Sequence, residues 1–315
     1  MKKFFSHFLI LLLFCFLLFF PSQSLEASKT GLLLWFDTLL PTLLPFLILS
    51  QLILKTSLIH NIQMVIGPIF GKIFHCSESG SFCILSGFLC GYPVGARLIS
   101  LLLEEEQIST EEGQYLLSFC NNVSPMFCIS YGILHTIGET QILPYLLIIY
   151  GSALVFGFFT RPKYIPSYFS RTKKQTPPAE QLFQLIDVCI IDSFMILIKL
   201  CGYLILFSII NTEISMLLPK DSLYISSSFN ALLEITGGLS QIKKIPDHFL
   251  RTALTIASLS FGGLCCIFQT NSVIARTSLS LKKYTLHKGL IAILALFFYC
   301  FFYFSVRFFS INRWS

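Results

Sequence analysis

Apolar residues run along this chain in blocks of about 20, the length at which a helix crosses the hydrocarbon core of a bilayer. Polar positions fall mainly between the blocks. Residues 4–20 form the first, behind Lys2 and Lys3. This block reads either as a first membrane helix or as a cleaved signal peptide with Ser22-Gln23-Ser24 at the processing site. Residues 31–54 form a span bounded by Trp35 and Lys55, and the more polar stretch 57–75 predicts an amphipathic helix lying in the interface. Further blocks cover 80–103, 114–137, 142–160, 182–210, 250–281 and 287–309, with a short Ser/Gly-containing amphipathic stretch at 223–240. Between 104 and 112 the chain is acidic, and Ser109-Thr110-Glu111-Glu112 has the form of a capping box opening the next helix.

Two blocks are interrupted from within. One contains Gly87-Phe88-Leu89-Cys90-Gly91-Tyr92-Pro93-Val94-Gly95-Ala96-Arg97, the other Asn121-Asn122-Val123-Ser124-Pro125. Broken backbone at membrane depth leaves N–H and C=O groups without partners and persists only where protein, water or a ligand satisfies them. Two such breaks in one region predict a transport site. The Pro-rich linker over 161–181 carries Arg161, Lys163, Arg171, Lys173 and Lys174 and predicts a cytoplasmic loop. It falls inside only if 80–103 enters and returns on the same side, so that segment is predicted to be a re-entrant hairpin turning near Gly91–Gly95.

The second half repeats the plan. The predicted organisation is an N-terminal segment over 1–24, a first repeat over 25–160, the linker over 161–181 and a second repeat over 182–315. The fold class expected is an all-α polytopic membrane protein with about six to eight membrane segments, two of them re-entrant or broken-helix hairpins. Setting 79–102 beside 258–281 matches Val94-Gly95-Ala96-Arg97 with Val273-Ile274-Ala275-Arg276. An inverted repeat would make 250–281 enter from outside, which Arg276, Lys282 and Lys283 oppose under the positive-inside rule.

Half-helices that aim their N-termini at one point favour an anion. On this reading their starts follow Gly91-Tyr92-Pro93 and Gln269-Thr270-Asn271-Ser272, and Arg97 and Arg276 come within two turns. Two such arginines suit a substrate with two carboxylates. The alternative is that each arginine snorkels to the interface. Asn121, Asn122 and Ser124 supply donors and acceptors for a solute or coupling ion, or else join packed helices by hydrogen bonds. Glu234, a lone carboxylate on a short apolar helix, is a candidate for the pathway wall. Asp192 and Lys199 lie two turns apart on one span and are expected to compensate each other or relay protons.

Composition sharpens this picture. The 315 residues are 54% hydrophobic and 12% charged, with a mean hydropathy of +0.75, whereas soluble domains carry about 25% charged residues. The net charge of +6 sits between apolar runs, which reads as topology rather than nucleic-acid binding. The 11 cysteines form no metal-type or disulfide-type spacing. No nucleophile–base arrangement, P-loop or haem signature is present. A cofactor, a metal and an enzymatic activity are therefore not expected.

Ser86–Arg97, the acidic loop and Tyr115-Leu116-Leu117-Ser118-Phe119-Cys120-Asn121-Asn122 with Pro125 resemble the YlbJ-type sporulation integral membrane protein family. The second half resembles it at Glu234-Ile235-Thr236-Gly237 and Leu259-Ser260-Phe261-Gly262-Gly263. Members carry nucleoside-recognition "Gate" repeats akin to those of concentrative nucleoside transporters. The resemblance implies a role in endospore formation: passage of dipicolinic acid, a planar dicarboxylate, across the outer forespore membrane, with other sporulation membrane proteins as possible partners. A nucleoside or other small-solute transporter and a non-transporting scaffold for spore assembly are the alternatives.

Overall fold

The structure, a computed structural model, describes residues 2–56, 58–163, 179–217 and 223–311, so most of the basic linker lies outside the described residues. Helix α1 (Lys2–Phe19) bends by 109° into α2 (Pro21–Leu34). A π-helical stretch, Trp35–Leu39, joins α2 to α3 (Leu40–Lys55), and the helix continues unbroken. Pro41 accounts for the widened turn: it has no N–H to give residue 37, and its ring crowds that carbonyl. Helix α4 (Leu58–Phe74) meets α5 (Glu78–Cys90) at 91°. Helix α5 turns back at Gly91 into α6 (Val94–Glu104), as the hairpin expectation required.

Helix α7 (Thr110–Cys120) breaks at Asn121 and resumes as α8 (Pro125–Phe127), which leads into a π-helical segment, Cys128–Ile137. Ser109 caps α7 as its sequence predicts, through Oγ to the Glu112 N–H at 3.1 Å. The Glu112 carboxylate does not reach back to close the box; it accepts the N–H of Ser77 at 2.6 Å and pins the start of α5 instead. Then follow α9 (Ile142–Phe159), α10 (Ala179–Leu217), α11 (Leu223–Leu233), α12 (Ile235–Ile242), α13 (His248–Phe261), α14 (Gly263–Ile274) and α15 (Leu281–Ile311). No strand occurs among the described residues. Among the described residues, four helices are long and apolar enough to cross a membrane, or up to 6 segments if each bent pair counts as one. This is an all-α polytopic membrane protein.

Hydrogen bonds at the loops separate two faces. On the first, His75 Nδ1 meets the Pro162 carbonyl at 2.8 Å, Arg161 donates to the Ile73 carbonyl, and Ser280 N–H donates to Gln114 Oε1 at 2.6 Å. On the opposite face, His248 Nε2 lies 3.0 Å from Glu139 Oε1. Thus α7–α8 runs from the first face to the second, α9 returns, and α13–α14 runs in the direction of α9. The α5–α6 hairpin opens on the first face and α11–α12 leads to the second.

The halves are therefore related by inversion, with α5–α6 matching α11–α12, α7–α8 matching α13–α14, and α9 matching α15. Packing obeys the same exchange. Helix α6 lies on α14 while α12 lies on the π-helical segment; α7 lies on α15 while α13 lies on α9. This corrects the pairing of 79–102 with 258–281. Residues 269–272 sit inside the continuous α14, so no half-helix starts there. The breaks of the second half are at Glu234 and at Gly262-Gly263. The correction also removes the charge conflict. Arg276, Lys282 and Lys283 follow α14 and fall on the face where the basic linker begins.

Asp192 and Lys199 do not pair. Asp192 Oδ2 lies 3.7 Å from Lys55 Nζ, and Lys199 is exposed on α10. Trp35 Nε1 to the Leu197 carbonyl at 2.8 Å and Gln51 Nε2 to Ser193 Oγ at 3.1 Å fix the α2–α3 helix along α10.

Candidate functional site

The breaks of both halves converge on a cavity of about 390 Å³. Glycine makes the convergence possible. Gly91 has φ +80°, and a Cβ there would lie 2.5 Å from the Ser124 nitrogen, so the tip of the α5–α6 hairpin rests directly on the α7–α8 break. A Cβ on Gly87 would overlap the Cys120 carbonyl, and one on Gly95 would come within 3.0 Å of the same oxygen. The four-residue glycine spacing thus serves close packing and a helix break together.

Tyr92, at the hairpin tip, forms one wall. Its hydroxyl is buried without a hydrogen-bond partner and faces Gly262, at the opposite half's break. Glu234 forms another wall. It caps α12, with Oε1 accepting the Thr236 N–H at 2.8 Å and Oε2 the Gly237 N–H at 2.7 Å. Ser124 and Gln269 complete the predicted residues that line the cavity, beside Phe127, Tyr131, His135, Cys265 and Cys266. Ser124 Oγ also caps α8 through the Phe127 N–H at 3.3 Å, and Tyr131 hydroxyl bonds Ser240 Oγ at 2.8 Å, joining the two halves.

The two asparagines behave differently from an open coordination site. Asn121 is fully buried. Its Oδ1 accepts the Ala96 N–H at 3.3 Å, and Nδ2 donates to Thr270 Oγ1 at 2.9 Å and Tyr284 hydroxyl at 3.0 Å. Asn122 Nδ2 donates to the Phe119 carbonyl at 2.6 Å. They tie α6, α7, α14 and α15 together at the break, which is the interhelical role weighed against the site reading.

The paired-arginine expectation is not met. Arg97 Nη1 lies 3.7 Å from Glu104 Oε1, toward the far end of α6, and Arg276 is exposed beyond α14 on the first face. Neither lines the cavity. Asn271 is exposed, and Ser272 Oγ donates to the Gln269 carbonyl at 2.8 Å. The motif match that joined the two arginines compared the inside of one helix with the end of another.

Lys288 is the residue that the sequence reading missed. Its side chain is fully buried on α15, with Nζ 3.0 Å from Asn122 Oδ1, 3.4 Å from the Asn121 carbonyl and 5.4 Å from the centre of the Tyr92 ring. In sequence it follows Lys282, Lys283 and His287 at the start of a span, where a lysine looks interfacial. Only the packing of α15 against α7 turns it inward.

No family model matches the chain, and no solved structure does. Among curated proteins, the chain is similar to sporulation integral membrane protein YlbJ of Bacillus subtilis (strain 168). The two are 26% identical over an alignment of 306 residues that covers 84% of this chain and 74% of the relative. The Ser86–Arg97 and Tyr115–Pro125 motifs point the same way as this similarity: the chain is similar to a sporulation integral membrane protein of the YlbJ type.

Proposed function

We propose that this sporulation membrane protein is a carrier, not an enzyme, and that it moves a small organic solute through the cavity at the junction of the two inverted halves. The observation that carries this reading is the convergence of broken helices from both halves on one cavity of about 390 Å³, a size suited to a small-molecule ligand. Inverted repeats with a site at the breaks suit alternating access, in which one half rocks against the other. The walls offer aromatic faces from Tyr92, Phe127 and Tyr131 and polar groups from Ser124, Glu234 and Gln269, a combination that favours a flat solute with polar edges.

Dipicolinate, which the family resemblance implies, is such a solute, and its route would cross the outer forespore membrane. Lys288, behind the Tyr92 ring, favours it by adding positive potential to that wall. A neutral, nucleoside-like solute is the second reading. The Glu234 carboxylate in the wall and the position of both arginines outside it favour that one.

The test is uptake of labelled dipicolinate and labelled uridine into proteoliposomes, for the wild type and for Glu234→Gln and Tyr92→Ala. Saturable uptake of either solute that both variants reduce at least tenfold is the expected result, and the solute moved selects between the two readings. Folded, reconstituted protein that moves neither would return the scaffold alternative.

A further inference from the structure

Helix α7 ends in the middle of the protein rather than at its surface, so its negative dipole end faces no water. Asn122 Nδ2 covers the Phe119 carbonyl, but the Asn121 carbonyl and Asn122 Oδ1 still converge on one point. Two such oxygens at a helix C-terminus, roofed by an aromatic face, make a place for a monovalent cation. That point is filled by Lys288 Nζ, at 3.4 and 3.0 Å from the two oxygens and 5.4 Å from the Tyr92 ring centre. Among the described residues no carboxylate lies within ion-pair distance of Lys288. Its titratable neighbours are Tyr92 and Cys266 and, on its own helix, Tyr284 and His287. A fully buried ammonium without a counter-charge is costly in a bilayer. Its favourable partners are the dipole, the two oxygens and the ring.

We propose that Lys288 is a tethered cation. Its ammonium permanently occupies the oxygen site at the α7–α8 break, so the protein works without an inorganic cation there. The idea deepens the carrier reading, because the Tyr92 ring that roofs Lys288 is also a wall of the solute cavity.

The primary test needs no transport. Purified protein is heated in sodium chloride, methylammonium chloride or choline chloride at equal ionic strength. The wild type is expected to melt at the same temperature in all three. Lys288→Ala empties the site and should melt lower in choline, with recovery in sodium or methylammonium, ions small enough to enter. A Lys288→Ala variant that folds but is indifferent to the ion, or a wild type that responds as Lys288→Ala does, overturns the proposal.

Lys288→Met keeps the length of the side chain without its charge and serves where the alanine variant does not fold. It is expected to show no response to any of the salts and to lose uptake. Wild-type uptake by Lys288→Met would also overturn the proposal. Should the wild type itself move no solute, the carrier reading fails while the melting comparison still decides the role of Lys288.

Discussion

Single atoms decide much of the site. Gly91 holds φ +80° against Ser124. Gly91→Ala should destabilise the protein by about 1–3 kcal/mol from backbone conformation alone, since φ +80° with ψ −163° is a glycine-only region, and by more because the new methyl meets the Ser124 backbone. A fall in melting temperature with loss of uptake is the expected readout. Asn121→Ala removes the acceptor of the Ala96 N–H and the donor to the Thr270 and Tyr284 hydroxyl oxygens. Each buried group left alone costs about 1–3 kcal/mol, so poor expression or a strongly lowered melting temperature is expected. Arg97→Ala, by contrast, touches a half-exposed ion pair with Glu104 and should leave uptake within twofold of wild type.

Glu112 sits at the first turn of α7, near the first face, with one oxygen on the Ser77 N–H and the other buried without a partner. Burial pushes its carboxyl above the ordinary value, against the pull of the Ser77 bonds. The folded protein therefore holds this proton more tightly than the unfolded chain. Its contribution is fully present below the unfolded value and is lost as pH rises through the folded one. Glu112→Gln should flatten that part of the profile in melting experiments from acid to neutral pH.

Among the elements, helix caps and breaks were the most legible in sequence. Ser109 ahead of Glu112, Pro125 after Ser124, and Gly91 before Pro93 each carry a local reason for a helix to start or stop. Ser109→Ala should cost about 1 kcal/mol, seen as a small drop in melting temperature, because it removes the Oγ acceptor from the first turn of α7. The second-half break at Glu234 was harder to read as a break. The glutamate caps α12 by folding back on Thr236 and Gly237, a role seldom visible for a glutamate inside an apolar run. The apparent echo of Val94–Arg97 at Val273–Arg276 misled because it matched residue types rather than breaks.

The whole molecule is an inverted pair of halves, and its topology can be checked directly. Cysteines placed at 163 and 276 should react with a membrane-impermeant thiol reagent from the same side, and one at 244 from the opposite side. Labelling of 276 and 244 from one side would refute the inversion. The native cysteines are mostly buried, which keeps background labelling by an impermeant reagent low.

Sequence by itself determined that the chain is helical and membrane-embedded, where its first-half helices break, and which proteins it resembles. These rest on hydropathy over windows of a helix length and on the local chemistry of Gly, Pro, Ser and Asn, all short-range properties. Tertiary structure alone decided which breaks meet. It placed Tyr92, Ser124, Glu234 and Gln269 on one cavity, left Arg97 and Arg276 outside it, and turned Lys288 inward. The physical reason is that a charged residue near the end of an apolar run has two favourable fates, water at the interface or oxygen atoms inside. Only the packing of other helices around it selects one.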